Sequence, residues 1–136
     1  MADIPYPNDQ SKAAAAIPVW IAGNGGAIIV PTPPTPPPAT IGGGLSYDTG
    51  LMSAAGFSKF AASAKLTQTG TLTLTRYIDA AGTVPIGPVL TQNLAANTVG
   101  SIAVNDGIPC LVWRVVVLNT SGATATLSDF HLLETV

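Results

Sequence analysis

Apolar and polar positions in this chain alternate with a period of two far more than with a period of 3.6. Residues 71–78 alternate strictly, placing Leu72, Leu74, Arg76 and Ile78 on one face of an extended segment and Thr71, Thr73, Thr75 and Tyr77 on the other. That is the pattern of an antiparallel strand with one covered face. Residues 111–118 read LVWRVVVL, apolar on both faces except at Arg114, which predicts a central strand covered on each side. Further strands are predicted over 57–66, 99–104 and 123–133 and, on weaker patterns, over 45–52 and 84–90. Turn sequences separate them: Gln68-Thr69-Gly70, Asp79-Ala80-Ala81-Gly82, Asn105-Asp106-Gly107 and Asn119-Thr120-Ser121-Gly122. Short strands at this spacing predict an all-β fold, an antiparallel β-sandwich of the jelly-roll or Greek-key kind, over residues 45–136. A domain of that size buries just enough surface to fold by itself. No stretch sustains a helical period; the alanines at 13–16 suffice for one helical turn at most.

The first 44 residues read differently. Nine of the twelve prolines precede residue 39, and the run Pro31-Thr32-Pro33-Pro34-Thr35-Pro36-Pro37-Pro38 predicts a polyproline II spacer of roughly 25 Å, since that helix rises about 3.1 Å per residue. Gly42-Gly43-Gly44 follows as a joint. Residues 1–44 are therefore read as an extended arm. Within it, Ile17-Pro18-Val19-Trp20-Ile21-Ala22 and Ala27-Ile28-Ile29-Val30 are β-prone runs joined by Gly23-Asn24-Gly25-Gly26, a hairpin signal because Asn and Gly tolerate the positive φ of a tight turn. A lone hairpin that is apolar on both faces becomes ordered only against another surface, either its own domain or a neighbouring chain. The proline spacer favours the neighbour, because a short connection back to the same domain does not need it.

Composition narrows the function. Charged residues make up 9% of the 136, and five Lys and Arg stand against seven Asp and Glu for a net charge of −2. That leaves no basic stripe for a row of phosphates, so no nucleic-acid partner is expected. Nor is a membrane partner, because the most apolar stretch, 13–30, is interrupted by Pro18, Gly23, Asn24, Gly25 and Gly26. Asp3, Asp9 and Pro18 also argue against a secretory leader, so the protein is expected to be made and kept without secretory export. Cys110 is the single cysteine, so no intrachain disulfide staples the fold.

Residues able to carry chemistry are sparse, and no catalytic, cofactor-binding or metal site is expected. His131 is the only histidine and sits in a strand pattern, with no His/Cys cluster around it for zinc. Cys110 opens an apolar strand with no basic neighbour in sequence to lower its pKa, as a buried inert thiol would. Asp48, Asp79 and Asp106 fall in glycine-containing turns, where aspartate caps its own backbone, and no Asp-x-Asp run seeds a calcium site. The glycine clusters at 23–26 and 42–44 lack the following Lys-Ser/Thr of a phosphate loop. Asn119-Thr120-Ser121 matches a glycosylation acceptor by accident if the chain is not secreted. Arg76 and Arg114, in otherwise apolar settings, must each reach solvent, a carboxylate or a subunit partner, because an unpaired buried charge costs several kcal/mol. Trp20 and Trp113 are core residues or interface anchors, and Trp20 is the better anchor because the arm has no core of its own.

The opening Met1-Ala2-Asp3, the run from Ile17 to Gly26, and a Thr/Ala/Gly-rich β domain containing Arg114-Val115-Val116-Val117-Leu118-Asn119 resemble small virion structural proteins of tailed bacteriophages. The nearest likeness is to capsid decoration (cement) proteins and to short fibre or adaptor modules. The resemblance implies a non-enzymatic homo-oligomer, often a trimer, on the capsid surface, whose arm bridges to the major capsid protein. The interface residues expected on that reading are Ile17, Val19, Trp20, Ile21, Ile28, Ile29 and Val30 of the arm, with Arg76 and Arg114 of the sandwich. The alternative is a tail fibre, adaptor or receptor/carbohydrate-binding module, for which Tyr47 and Tyr77, with Tyr6 in the arm, are the only aromatics near loops.

Overall fold

The computed structural model describes residues 28–136, and every regular element among them is a β-strand. They form two antiparallel sheets. The first runs β1 (Ile28–Ile29), β10 (Ala125–Thr135), β5 (Lys59–Leu66), β8 (Gly100–Val104), with β2 (Thr40–Ile41) paired to the beginning of β10. The second runs β3 (Ser46–Asp48), β9 (Val112–Asn119), β6 (Gly70–Tyr77), β7 (Leu90–Leu94), with β4 (Met52–Ser53) paired to the start of β9.

The alternation in sequence becomes the two faces of each sheet. Leu72, Leu74 and Arg76 of β6 and Trp113, Val115, Val117 and Asn119 of β9 point between the sheets and are buried. They face Phe60, Ala62, Ala64 and Leu66 of β5, whose small middle leaves room for the larger side chains opposite. Two expectations are corrected. The β6 ladder stops at Tyr77, where Ile78 turns to donate its N–H to the Val84 carbonyl, so Ile78 is 52% exposed instead of sharing the Leu72 face. β9 is central within its sheet, yet Val112, Arg114, Val116 and Leu118 on its outer face are only partly covered, because no second layer packs there.

The segment 45–52 divides into β3 and β4 at Gly50, whose φ of +81° breaks the extended backbone. The weak pattern at 84–90 is mostly loop, since Pro85 and Pro88 have no N–H for a ladder; the strand lies just beyond, as β7.

From Ile28 to Gly44 the arm lies on its own domain. β1 pairs with the end of β10 (Ile28 opposite Thr135) and β2 with its beginning (Ile41 opposite Ala125), and Ile41 is a core residue. Between them the proline run leaves the sheet, as residues without N–H donors must, and bows across to the other sheet. There the Thr35 N–H donates to the Thr49 carbonyl at 3.1 Å, the Tyr47 hydroxyl donates to the Thr35 carbonyl, and Pro34 packs over Gly50. A bulge in β10, with Asp129 at φ 51°, aims Phe130 edge-on to Tyr47 with ring centroids 5.3 Å apart. The proline run is thus a strap closing the side of the sandwich between β10 and β3.

At one end of the sandwich Asn119 is fully buried and closes the fold. Its amide donates to the carbonyls of Ile41 (2.9 Å), Gly42 (3.2 Å) and Ala123 (2.7 Å), and its oxygen accepts from the Ser121 N–H and hydroxyl. The asparagine of the apparent glycosylation acceptor is therefore a core residue.

Candidate interaction surface

The opposite end, where β6 and β10 finish and β5 and β9 begin, combines a buried polar cluster with exposed apolar side chains. Arg76 and Trp113 are cross-strand neighbours in the β6–β9 ladder, and both point inward. Arg76 has no exposed surface. Its two terminal nitrogens meet the two oxygens of Asp106 at 2.7 Å each, a bidentate pair, and Nη1 also donates to the Ile108 carbonyl at 3.4 Å. Of the three outcomes open to Arg76, it takes the carboxylate of its own chain. Gly87 lies directly over the guanidinium: a Cβ there would stand 2.8 Å from Arg76 Nη2. Asp106 also accepts the Ile108 N–H, so its pair to Arg76 and its turn hold it together, and its pKa falls to about 2.

Trp113 donates its indole N–H to Glu134 at 2.6 Å and packs on Phe60 with centroids 5.0 Å apart. Glu134 is buried, and burial pushes its pKa up, only partly countered by the indole. Cys110 is half-buried nearby. Burial pushes its thiol up, and the negative charges of Glu134 and Asp106 add to this against Arg76, which makes it a poor nucleophile.

Around this cluster the surface is apolar. Ile78, Pro109, Cys110 and Leu111 line an open hollow of about 170 Å³, and Ile78 and Leu111 are each more than half exposed. Val84 stands beside them, its carbonyl bonded to the Ile78 N–H, and the Leu111 N–H donates to the Tyr77 carbonyl. The chain enters at this same end. Ile28 pairs with Thr135, the Thr135 carbonyl accepts from Ser58, and the Leu111 carbonyl accepts from Ala54, so the segment 54–58 links the arm's entry to the hollow. Ile28 and Ile29, 64% and 45% exposed, form the outermost described strand of their sheet, and Val30, 70% exposed, follows directly after it.

The other expected interface residues divide. Ile17, Val19, Trp20 and Ile21, with the expected hairpin turn at 23–26, lie outside the described residues. Arg114 lies on the outer face of β9, its Nε 3.3 Å from Asp48 Oδ1 and its guanidinium 6.0 Å from the Tyr77 ring centroid, partly exposed and held within its own domain. Tyr47 and Tyr77, the two aromatics a sugar site in the domain would use, are both buried, and burial beside Asp48 pushes the Tyr47 hydroxyl up to about 12. Asp48 and Asp79 cap turns, accepting from Gly50 and from Thr83 and Val84 respectively. His131 is exposed on β10 opposite Ser63. Among the described residues no group of three His, Cys, Asp or Glu side chains could hold a metal ion, and no helix is long and apolar enough to cross a membrane.

Sequence reasoning missed Glu134 and the apolar end as a unit. Glu134 carries no local signal, because its burial depends on Trp113, 21 residues away. The hollow joins residues from two loops that are neighbours only because β6 and β9 pair. No protein-family model matches the chain, and no curated protein is similar to it.

Proposed function

We propose that this chain is a non-enzymatic virion structural protein that decorates and stabilises the capsid of a tailed bacteriophage. On this reading its arm binds the major capsid protein, copies of the chain associate into a homo-oligomer, often a trimer in proteins of this kind, and the two sheets are the halves of a jelly-roll or Greek-key sandwich. It is assembled in the host cytoplasm and resides on the capsid surface.

The observation that carries the reading is the concentration of exposed apolar side chains where the arm enters the fold. Ile28 and Ile29 on the outermost described strand and Val30 just after it, with Ile78, Val84 and Leu111 at the same end, make a surface suited to burial against protein. Strand addition along β1 would supply backbone hydrogen bonds, and association of several copies would multiply weak contacts. The low charge of the chain favours the same end. A tail-fibre or adaptor role makes similar physical demands and is the second reading. Sugar binding has less support, since Tyr47 and Tyr77 are buried.

The test is sedimentation of full-length protein with expanded capsids that lack it. Saturable binding, weakened by Ile28→Asp and Ile29→Asp, is expected. Failure to sediment with the capsids overturns the proposal.

A further inference from the structure

On the side of the sandwich away from the strap, the two sheets end in β7 and β8. Each is paired to one neighbour only, β7 to β6 and β8 to β5, and among the described residues no strand covers either free edge. The two edges lie together, since Gly100 of β8 packs against Leu94 and Gln92 of β7. We infer that this side is a self-association surface, on which β8 pairs antiparallel with β8 of a second copy across a two-fold axis at Ile102.

The first observation is the lack of protection. Free edges of soluble domains are ordinarily guarded by charged side chains, proline or a bulge. β8 has none of these: Gly100-Ser101-Ile102-Ala103-Val104 carries no charge and no proline, and its register with β5 runs unbroken from Phe60 opposite Val104 to Ala64 opposite Gly100. β7 is equally uncharged. Val89 and Val99, directly before the two strands, are each more than half exposed.

Charge also selects a second copy as the occupant. Near a two-fold axis each residue meets the same surface of the other copy, so a charged side chain there faces its like. Residues 80–105, which contain both edge strands and the turn between them, include no Asp, Glu, Lys or Arg. A different partner places no such demand on this side.

The register follows from the alternation in β8. Ile102 and Val104 point into the core, while Ser101 and Ala103 are exposed on the outer face. Pairing centred on Ile102 sets Gly100 opposite Val104 of the second copy and Ser101 opposite its Ala103. Core-facing residues then meet core-facing residues, the outer pairs are small, and the first sheet continues from one copy into the other. A register one residue away would turn the second copy's core face outward. The pairing deepens the self-association of the capsid reading, and its tests contain no capsids, so the failure of either is recognised apart from the other.

Sedimentation velocity of the full chain over a range of protein concentrations is expected to show a dimer; monomer at every concentration, or a trimer, overturns the inference. Ser101→Lys together with Ala103→Lys, both at exposed positions, sets lysine opposite lysine at the two outer pairs and is expected to raise the dimer dissociation constant about tenfold. An unchanged dimer overturns it.

Disulfides read the register in a Cys110→Ser background. Directly opposite Cα atoms in an antiparallel pair lie about 4.5–5.5 Å apart, within disulfide reach. Ser101→Cys chains mixed with Ala103→Cys chains are expected to bridge between copies on mild oxidation, whereas neither variant bridges by itself. Equal bridging by either variant alone, or no bridge in the mixture, overturns the pairing.

Discussion

Trp113 on β9 donates its indole N–H across the core to the Glu134 carboxylate on β10 at 2.6 Å, joining the two sheets through a buried acid. Burial raises the Glu134 pKa above its ordinary value, so the folded chain holds that proton at pH values where the unfolded chain has released it. The sign follows: the penalty of an ionised Glu134 is absent below its unfolded pKa and grows as pH rises toward the folded one. Glu134→Gln keeps an acceptor for the indole and removes the charge. Its urea midpoint is expected to match wild type in acid and to exceed it at neutral pH. Trp113→Phe, which leaves the carboxylate without its donor, is expected to destabilise by about 2–4 kcal/mol.

Asp106 has the opposite sign. Its folded pKa is about 2, below the ordinary carboxylate value, so its contribution is fully present above about pH 4. That contribution is lost as pH falls from there toward 2. Asp106→Asn is expected to flatten the acid limb of the stability curve over that interval, measured by thermal melts between pH 2 and 6. It is also expected to lower stability at neutral pH, because the buried Arg76 loses its counter-charge.

Gly87 tests the packing over the same guanidinium. Its φ is +74°, and a methyl group there would press on Arg76 Nη2. Gly87→Ala is expected to cost about 1–2 kcal/mol by chemical denaturation, from the left-handed backbone before any crowding is counted.

Asn119 closes the other end through three donated and two accepted hydrogen bonds. Asn119→Ala is expected to destabilise by about 2–4 kcal/mol, since it strands several carbonyls at once. Folded protein exposed to oligosaccharyltransferase is expected to keep its unmodified mass by mass spectrometry, because the acceptor nitrogen is not accessible.

The proline strap is anchored by Tyr47. Tyr47→Phe removes the bond to the Thr35 carbonyl and is expected to cost about 1 kcal/mol. The readout specific to the strap is hydrogen exchange of the Thr35 amide, which is bonded to Thr49 and should exchange faster in the variant while the β6–β9 amides do not change.

Much of the sandwich was legible because the alternation of Thr and Leu in β6 displays its half-covered face one residue at a time, whereas β9, apolar on both faces in sequence, read as covered on each side and its partly bare outer face did not show. The strap was not. Eight residues without a usable ladder read as a spacer, and the Tyr47 hydroxyl on the Thr35 carbonyl and the Thr35 N–H on the Thr49 carbonyl turn them into part of the domain. Arg76 was recognised as a charge in need of a partner, but Asp106 looked like an ordinary turn residue, because the pair is made 30 positions apart. Ile78 shows the limit of periodicity: the pattern ran one residue past the ladder, and the residue it misplaced borders the hollow.

On the proposed role, the chain decorates the capsid and engages its partner at the end where the arm enters. Electron-microscopic reconstruction of expanded capsids with and without added full-length protein tests it most directly. The account predicts added density on the outer shell, with Ile28 and the Ile78–Leu111 end turned toward the major capsid protein. Saturating protein that leaves the shell unchanged, or that binds only at the tail, would contradict it.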